Sequence, residues 1–209
     1  MAITYAQRTQ SYAHRRFWSI VPDKAAAVID GLEQTIEGFY MCAGVAGMIS
    51  KQPPQQSFTN FPMTGYTKVI GSNDFFSVKQ LNQIAGGGNY IVVQTVPGGA
   101  LMARYAITSD LTSLESRTDS ITKVVDFTAK FLRGGLKNFI GRFNITQGLL
   151  GSLGQVLAGM ISFLSDAGVL IGAKVERIIQ DEDNPNTVIV DVELDVPYPC
   201  DFIRLTLVV

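Results

Sequence analysis

Three carboxylates near the carboxyl end of the chain have the spacing most suggestive of chemistry. Asp191, Glu193 and Asp195 alternate with apolar residues between Val188 and Val196. Alternation of this kind places all three acids on one face of a strand, where paired carboxylates could serve as general acid and base. Such catalysis also needs an apolar pocket around the acids. Without one, a solvated or interfacial sheet face is favoured, and a hydrolase is the less favoured alternative.

Other residue types that carry chemistry do not form a recognisable site. The single histidine, His14, has no G-x-S-x-G nucleophile motif to serve, and with Cys42 and Cys200 it does not give zinc-ligand spacing. Gly86–Gly88 precedes a predicted strand, whereas a phosphate loop follows one, so a turn is expected. Asp181–Asp183 lacks the glycine and distal glutamate of a calcium loop. The sequence therefore predicts no enzyme, no metal and no cofactor.

The composition favours a protein whose surface is buried in an assembly. Charged residues make up 17% of the 209 residues, the net charge is −1 and the mean hydropathy is +0.20. A surface so poor in charge would be adhesive if fully solvated, and a near-neutral chain gives no reason to expect nucleic acid or an anionic membrane. The two separated cysteines predict buried thiols in a reducing compartment.

No segment of the sequence is expected to insert into a membrane. The amino-terminal residues lack the apolar core of a signal peptide. Gly148–Gly172 is long enough to span a bilayer, but it contains Asp166 and six glycines and its apolar residues are periodic.

The first half of the chain predicts alternating strands and helices after a polar arm. These are, in order, the arm 1–16, a strand at 17–21, helices at 24–32 and 37–50, a strand at 67–71, a helix at 77–85 capped by Ser77, and a hairpin of strands at 90–96 and 101–108.

The second half predicts helices followed by strands. Thr112 and Glu115 fit a capping box that opens a helix reaching Leu132. A short helix at 136–141 and a helix capped by Thr146 follow, and the uncharged back of the latter is expected to contact protein. Strands at 169–179, 187–196 and 202–209 complete the chain. The fold class is α/β: a mixed β-sheet with packed helices, plus a carboxyl-terminal unit of two helices and three strands.

The last predicted strand has no partner in this chain. Pro197 and Pro199 end the strand before it, because proline cannot donate to a sheet ladder. Phe202–Val209 then follows, with Arg204 as its only charge. A strand edge needs a partner, so this strand is expected to be exchanged with another subunit.

Several motifs, taken in order, resemble those of contractile tail sheath proteins of phages and related injection machines. A small-residue helix at 44–50 leads into Pro53-Pro54 and then Thr59-Asn60-Phe61-Pro62-Met63-Thr64-Gly65. Further similarity lies at Phe76–Leu81, Ile107–Thr112, Phe139–Gly141 and Tyr198–Thr206. The resemblance covers residues 17–209, and no single motif carries it alone.

The resemblance implies a structural subunit that forms six-fold rings, stacked helically around an inner tail tube, and that contracts to drive the tube through the host envelope. Implied partners are further copies, the tube protein, the baseplate and the tail terminator; the location is the virion tail, assembled in the bacterial host cytoplasm. A baseplate or terminator ring component is the alternative.

The resemblance also suggests a domain division and a set of linking residues. It gives an arm or remnant at 1–16, an α/β core at 17–110 that is subtilisin-like in fold only, and a sheath carboxyl-terminal domain at 111–209 with a linking strand at 201–209. Since sheath proteins are usually longer, the chain is expected to be a short sheath protein or the carboxyl-terminal portion of one. An amino-terminal linking strand would be absent or lie within Ile3–Tyr12.

Two groups of residues are the candidate contacts in such an assembly. The inter-subunit strand consists of Phe202, Ile203, Arg204, Leu205, Thr206, Leu207, Val208 and Val209. In sheaths, a charged helix lies against the tube, and the candidates here are Arg117, Lys123, Lys130 and Arg133. An ordinary solvated helix face is an equal alternative for this second group.

Overall fold

The structure is a computed structural model, and it describes residues 2–70 and 76–207. The chain divides into two compact units, Met1–Thr122 with Pro199–Val209, and Lys123–Tyr198. The boundary predicted near residue 110 therefore lies within the first unit, and the terminal segment groups with that unit.

The helices and strands follow in chain order. They are α1 (Ala2–Gln10), β1 (Ser19–Val21), β2 (Lys24–Ile29), β3 (Leu32–Glu37), α2 (Gly38–Lys51), β4 (Pro62–Met63), β5 (Lys68–Ile70), α3 (Val78–Ala85), β6 (Asn89–Gln94), β7 (Leu101–Ala103), α4 (Leu114–Arg117), α5 (Asp119–Leu136), a 3-10 turn (Lys137–Phe139), α6 (Gln147–Asp166), β8 (Gly172–Gln180) and β9 (Val188–Asp195).

The first unit is built around a four-stranded mixed sheet in the order β1-β6-β7-β4, in which β1 and β6 are parallel. On one face of β6, Tyr90 and Val92 pack with Val45 of α2. On the other face, Ile91 and Val93 pack in a cluster with residues of α1 and α3. Burial on both faces explains why the strand is a continuous apolar run without alternation. The predicted α/β class is confirmed.

A β-hairpin replaces the helix predicted at Lys24–Leu32, and that prediction is wrong. β2 and β3 are antiparallel, and β5 pairs with the other edge of β2. Asp30 and Gly31 join them with positive φ angles of 52° and 79°, the conformation of a two-residue type I′ turn. Ala25–Ala27 favour a helix locally, but they are buried in the sheet, and this packing overrides their propensity.

The expected extended amino-terminal arm is helical instead. α1 is held by Thr9, whose hydroxyl donates a 2.7 Å hydrogen bond to Oδ1 of the fully buried Asn89. Ser19 donates to the same oxygen at 2.8 Å, and Asn89 Nδ2 donates to the carbonyl of Ile84. One buried amide thus joins α1, β1 and α3, and its hydrogen-bonding groups are satisfied without water.

The capping box predicted at Thr112 and Glu115 is also wrong. Ser113 caps α4 by accepting a 3.1 Å hydrogen bond from the Ser116 amide, while Thr112 donates to Asp110 at 2.6 Å. Hydrogen bonds from Thr112 lower the pKa of Asp110. Extended backbone at Thr118 then separates α4 from α5, so the predicted single helix is two.

Several other boundaries differ from the predictions only in extent. The predicted cap at Ser77 is confirmed, and Gln80 completes a capping box with it; Gly86–Gly88 forms the predicted turn after α3. The strand predicted at 101–108 ends at Ala103, and the helix predicted at 136–141 is the short 3-10 turn. Gly71, predicted as the end of a strand, lies outside the described residues.

Gly87 is where close packing of α1 requires glycine. A Cβ atom on Gly87 would lie 2.3 Å from Ala6 Cα and 2.6 Å from its carbonyl oxygen. Backbone atoms cannot yield as a flexible side chain can, so we expect Gly87→Ala to lower the free energy of unfolding by about 1–3 kcal/mol.

Thermal and urea unfolding would measure this effect, and Gly47→Ala supplies the matched control. Gly47 lies in α2 with no atom near its Cβ position, so alanine there should be neutral or stabilise by about 0.5–1 kcal/mol. Equal stability of the two variants would contradict the tight seating of α1.

Candidate assembly interface

The second unit contains a two-stranded antiparallel ribbon, β8–β9, covered on one face by α6. The register pairs Val175 with Val192 and Ile178 with Val190, with a bulge between Val175 and Arg177. These valine and isoleucine side chains are half-buried. Ile178 lies 3.5 Å from the Cβ position of Gly154, so the small residue lets the helix approach the ribbon closely.

The helix α6 is apolar on one face and uncharged on the other. Thr146 caps it, as predicted, by accepting a hydrogen bond from the Leu149 amide. Leu153, Leu157, Ile161 and Leu164 are buried. The exposed back carries Gly151, Ser152, Gln155, Gly159 and Ser162. By length and composition alone α6 could cross a membrane, but a core helix has the same composition, and here its apolar face packs on β8.

The three carboxylates of β9 lie on the exposed face of the ribbon, among cations. Arg177 Nε and Nη2 lie 2.7 and 2.6 Å from Asp191 Oδ2. Lys174, opposite Glu193 in the register, forms a 2.7 Å ion pair with Glu176. Glu193 and Asp195 are also exposed. Solvated carboxylates beside cations resemble an ordinary strand surface more than the apolar site that a general acid requires.

The predicted exchanged strand has no strand partner within its own chain. Residues 201–207 carry no regular secondary structure, and Ile203, Leu205 and Leu207 are 86%, 78% and 81% exposed. Val208 and Val209 lie outside the described residues. In the described part of the chain, β8 and β9 pair only with each other, so the carboxyl-terminal unit has two strands, and the third stays a prediction.

The beginning of the terminal segment does contact the first unit. Ser57 Oγ donates a 3.2 Å hydrogen bond to Asp201 Oδ1, and the ring of Phe202 lies 5.2 Å from that of Tyr105. Sequence reasoning missed Ser57 and Tyr105. Their partners lie about a hundred residues or more away along the chain, and no spacing pattern predicts contacts over such a distance.

The four candidate tube contacts divide into two groups. Lys123, Lys130 and Arg133 belong to α5 at i, i+7 and i+10, which places them along one side of that helix. Lys130 and Arg133 are exposed, and Lys123 is half-buried. Arg117 belongs to α4, is half-buried, and acts on Tyr105 through its charge and a hydrogen bond. The structure therefore does not place Arg117 on the helix of the other three.

Comparisons with solved structures identify the fold. The helical sheath of the anti-feeding prophage in its contracted state gives a TM-score of 0.75 at 16% identity, covering 93% of this chain and 56% of that one. The contracted sheath of the extracellular contractile injection system PVC gives 0.74 at 13%, covering 99% and 60%. The chain has the fold of a contractile sheath subunit.

A third match comes from the six-fold symmetrised baseplate of the anti-feeding prophage. Its TM-score is 0.72 at 16% identity, and it covers 98% of this chain and 63% of that one. The chain thus spans 56–63% of the length of these three sheath and baseplate chains. No family profile and no curated protein matches the sequence.

The remaining candidate residues have structural positions within this sheath fold. His14 accepts a hydrogen bond through Nδ1 from the Arg16 amide, and Asp181 accepts one from the Asp183 amide in the turn between β8 and β9. Within residues 2–70 and 76–207, no group of three potential metal ligands comes together. Cys42 and Cys200 are exposed free thiols, so the predicted burial of both is wrong.

Proposed function

We propose that the chain is a non-enzymatic subunit of a contractile sheath that polymerises around an inner tube. The observation that carries this proposal is the exposed apolar terminal segment in a chain with the sheath fold. In this proposal, contraction of the polymer drives the tube through the host envelope. The proposed partners are further copies in stacked six-fold rings, the tube, the baseplate and the tail terminator.

The joint between subunits is the strand formed by residues 203–209. In an extended conformation Ile203, Leu205 and Leu207 share one face, and each is more than three-quarters exposed. A neighbour's β8–β9 ribbon offers open backbone edges and an apolar face beneath α6. Adding the strand to one of those edges satisfies backbone groups and buries the apolar side chains, which is β-augmentation.

Further apolar side chains on the surface are consistent with an assembled state. Exposed examples among the described residues are Val28 and Leu32 in the β2–β3 hairpin, Phe39 and Tyr40 at the start of α2, and Ile140 after α5. The α6 back also lacks charge. Where such residues form a contiguous patch, the patch marks a protein contact. In this scheme 17–110 is the sheath core and 111–209 the linking domain.

Removing residues 203–209 should abolish polymer formation while leaving the subunit folded. The described side chains of this stretch, 203–207, are exposed and lie outside the apolar core clusters, so we expect circular dichroism and melting temperature to stay unchanged. Negative-stain images should then show single subunits where the full-length protein forms tubes. Tubes of the truncated protein would exclude strand exchange.

A pair of substitutions tests the proposed face of the strand. Leu205→Arg places a charge among the side chains that would enter a neighbour's core, whereas Thr206→Arg places it on the opposite face. We expect Leu205→Arg to prevent polymer formation and Thr206→Arg to permit it, as judged by sedimentation. Identical behaviour of the two variants would contradict an alternating, half-buried strand.

The basic side of α5 is the proposed tube contact. Lys130→Glu with Arg133→Glu should weaken association of the sheath with the tube and reduce its sensitivity to salt, since attraction between opposite charges would be lost. Co-sedimentation with tubes at two ionic strengths measures this. Lys137→Glu with Arg142→Glu, at two exposed positions beyond α5, is the control of equal charge change. Unchanged association of the α5 double variant would mean that Lys130 and Arg133 lie on an ordinary solvated face.

A ring component of the baseplate is the second candidate function. The match to a chain of a six-fold symmetrised baseplate favours it specifically. Purified full-length protein distinguishes the candidates in negative-stain images: long tubes for a sheath, single rings for a baseplate or terminator component.

A further inference from the structure

The terminal segment changes character abruptly at Phe202. Asp201 is half-buried, and its amide donates a 3.1 Å hydrogen bond to the carbonyl of Pro199. From Phe202 to Leu207 every residue is exposed; Phe202 is 75% exposed, but its ring still contacts Tyr105. Contacts with the first unit are therefore concentrated at Asp201 and Phe202, at the point where the proposed exchanged strand starts.

The seat of Asp201 is a fixed part of the first unit. The Ser57 hydroxyl that donates to Asp201 also accepts a hydrogen bond from the Thr59 amide at 3.3 Å. Thr59 Oγ1 in turn accepts from the Ala106 amide at 3.2 Å. Ser57 is thereby tied to the chain that follows β7, so the carboxylate is held by a loop attached to the central sheet.

The seat of Phe202 is formed by Tyr105 and the pocket beside it. The two ring planes are inclined by 58° at a centroid distance of 5.2 Å, within the range of favourable aromatic pairs. Phe202 also borders a pocket of about 200 Å³, which is lined by Asn82, Ala85, Asn89, Ile91, Arg104 and Tyr105. Phe202 is 75% exposed, so one side of its ring contacts Tyr105 and the pocket while the remainder faces solvent.

Arg117 and Asp201 both influence the hydroxyl of Tyr105. Burial raises the pKa of this hydroxyl, the charge of Arg117 and a hydrogen bond from its guanidinium lower it, and the carboxylate of Asp201 raises it.

We propose that Ser57 and Tyr105 form an arm anchor that holds Asp201 and Phe202 on their own subunit, so that the exchanged strand begins at Ile203. This inference rests on the proposed sheath function, and it means that Asp201 and Phe202 are not part of the mobile arm.

The anchor sets where the mobile part of the arm starts. At about 3.3 Å per residue, releasing residues 199–202 would lengthen the mobile part by about 13 Å. A fixed starting point would favour pairing with one neighbouring subunit. A free arm could pair with several neighbouring subunits, and the polymer would then lack a single strand register.

Spin-label mobility in the dissociated subunit tests the anchor directly. With Cys42→Ser and Cys200→Ser, a nitroxide is attached to Ile203→Cys or, separately, to Leu207→Cys. We expect a restricted electron paramagnetic resonance spectrum at position 203 and a mobile one at 207. Tyr105→Ala and, independently, Ser57→Ala should make the label at 203 as mobile as that at 207.

Tyr12→Ala is the matched control, since its exposed ring stacks on Phe17 instead; it should leave the spectrum at 203 unchanged. Equal mobility at 203 and 207 in the parent, or a spectrum at 203 unaffected by both anchor substitutions in folded protein, would overturn the anchor.

Imaging of the unlabelled parent and Tyr105→Ala proteins separates this inference from the sheath proposal. If the label at 203 is restricted but the protein forms no tubes, the anchor is supported and the sheath function is contradicted. If the label is mobile but the protein forms tubes, the sheath function is supported and the anchor is contradicted. With both in place, Tyr105→Ala should raise the protein concentration needed for tubes several-fold.

Discussion

A sheet of two strands leaves half of its backbone hydrogen-bonding groups without a strand partner. The β8–β9 ribbon is such a sheet in the described chain, and two-stranded ribbons are marginal in water unless other elements cover them. α6 covers one face but cannot pair the edges. In the proposed assembly, strand exchange with a neighbouring subunit would satisfy this requirement for backbone pairing.

The same requirement accounts for how charge is distributed in the second unit. The face of the ribbon away from α6 carries paired charges such as Arg177 and Asp191, which keep that surface in water. The back of α6 carries none, so the unit has one surface suited to solvent and another suited to protein.

Local chemistry determined which elements could be predicted. Ser77 and Thr146 cap helices because their partners lie three residues away, and the alternation in β9 follows from side-chain geometry alone. The helix predicted across Ala25–Ala27 was wrong because the burial of these alanines depends on β5, which lies far along the chain. Thr112 does not cap the helix because its hydroxyl donates a hydrogen bond to Asp110 instead. Contacts of Asn89 and Asp201 join distant segments, which a single sequence does not reveal.

An anchored arm also has a thermodynamic consequence for assembly. Ordering a residue costs about 1–2 kcal/mol of backbone entropy, and an arm that starts free must lose this for each residue it docks. If Asp201 and Phe202 are already held by Ser57 and Tyr105, their ordering precedes association and no longer opposes it. Preorganisation of this kind strengthens binding without adding contacts, so residues outside the interface would determine how tightly neighbouring subunits join.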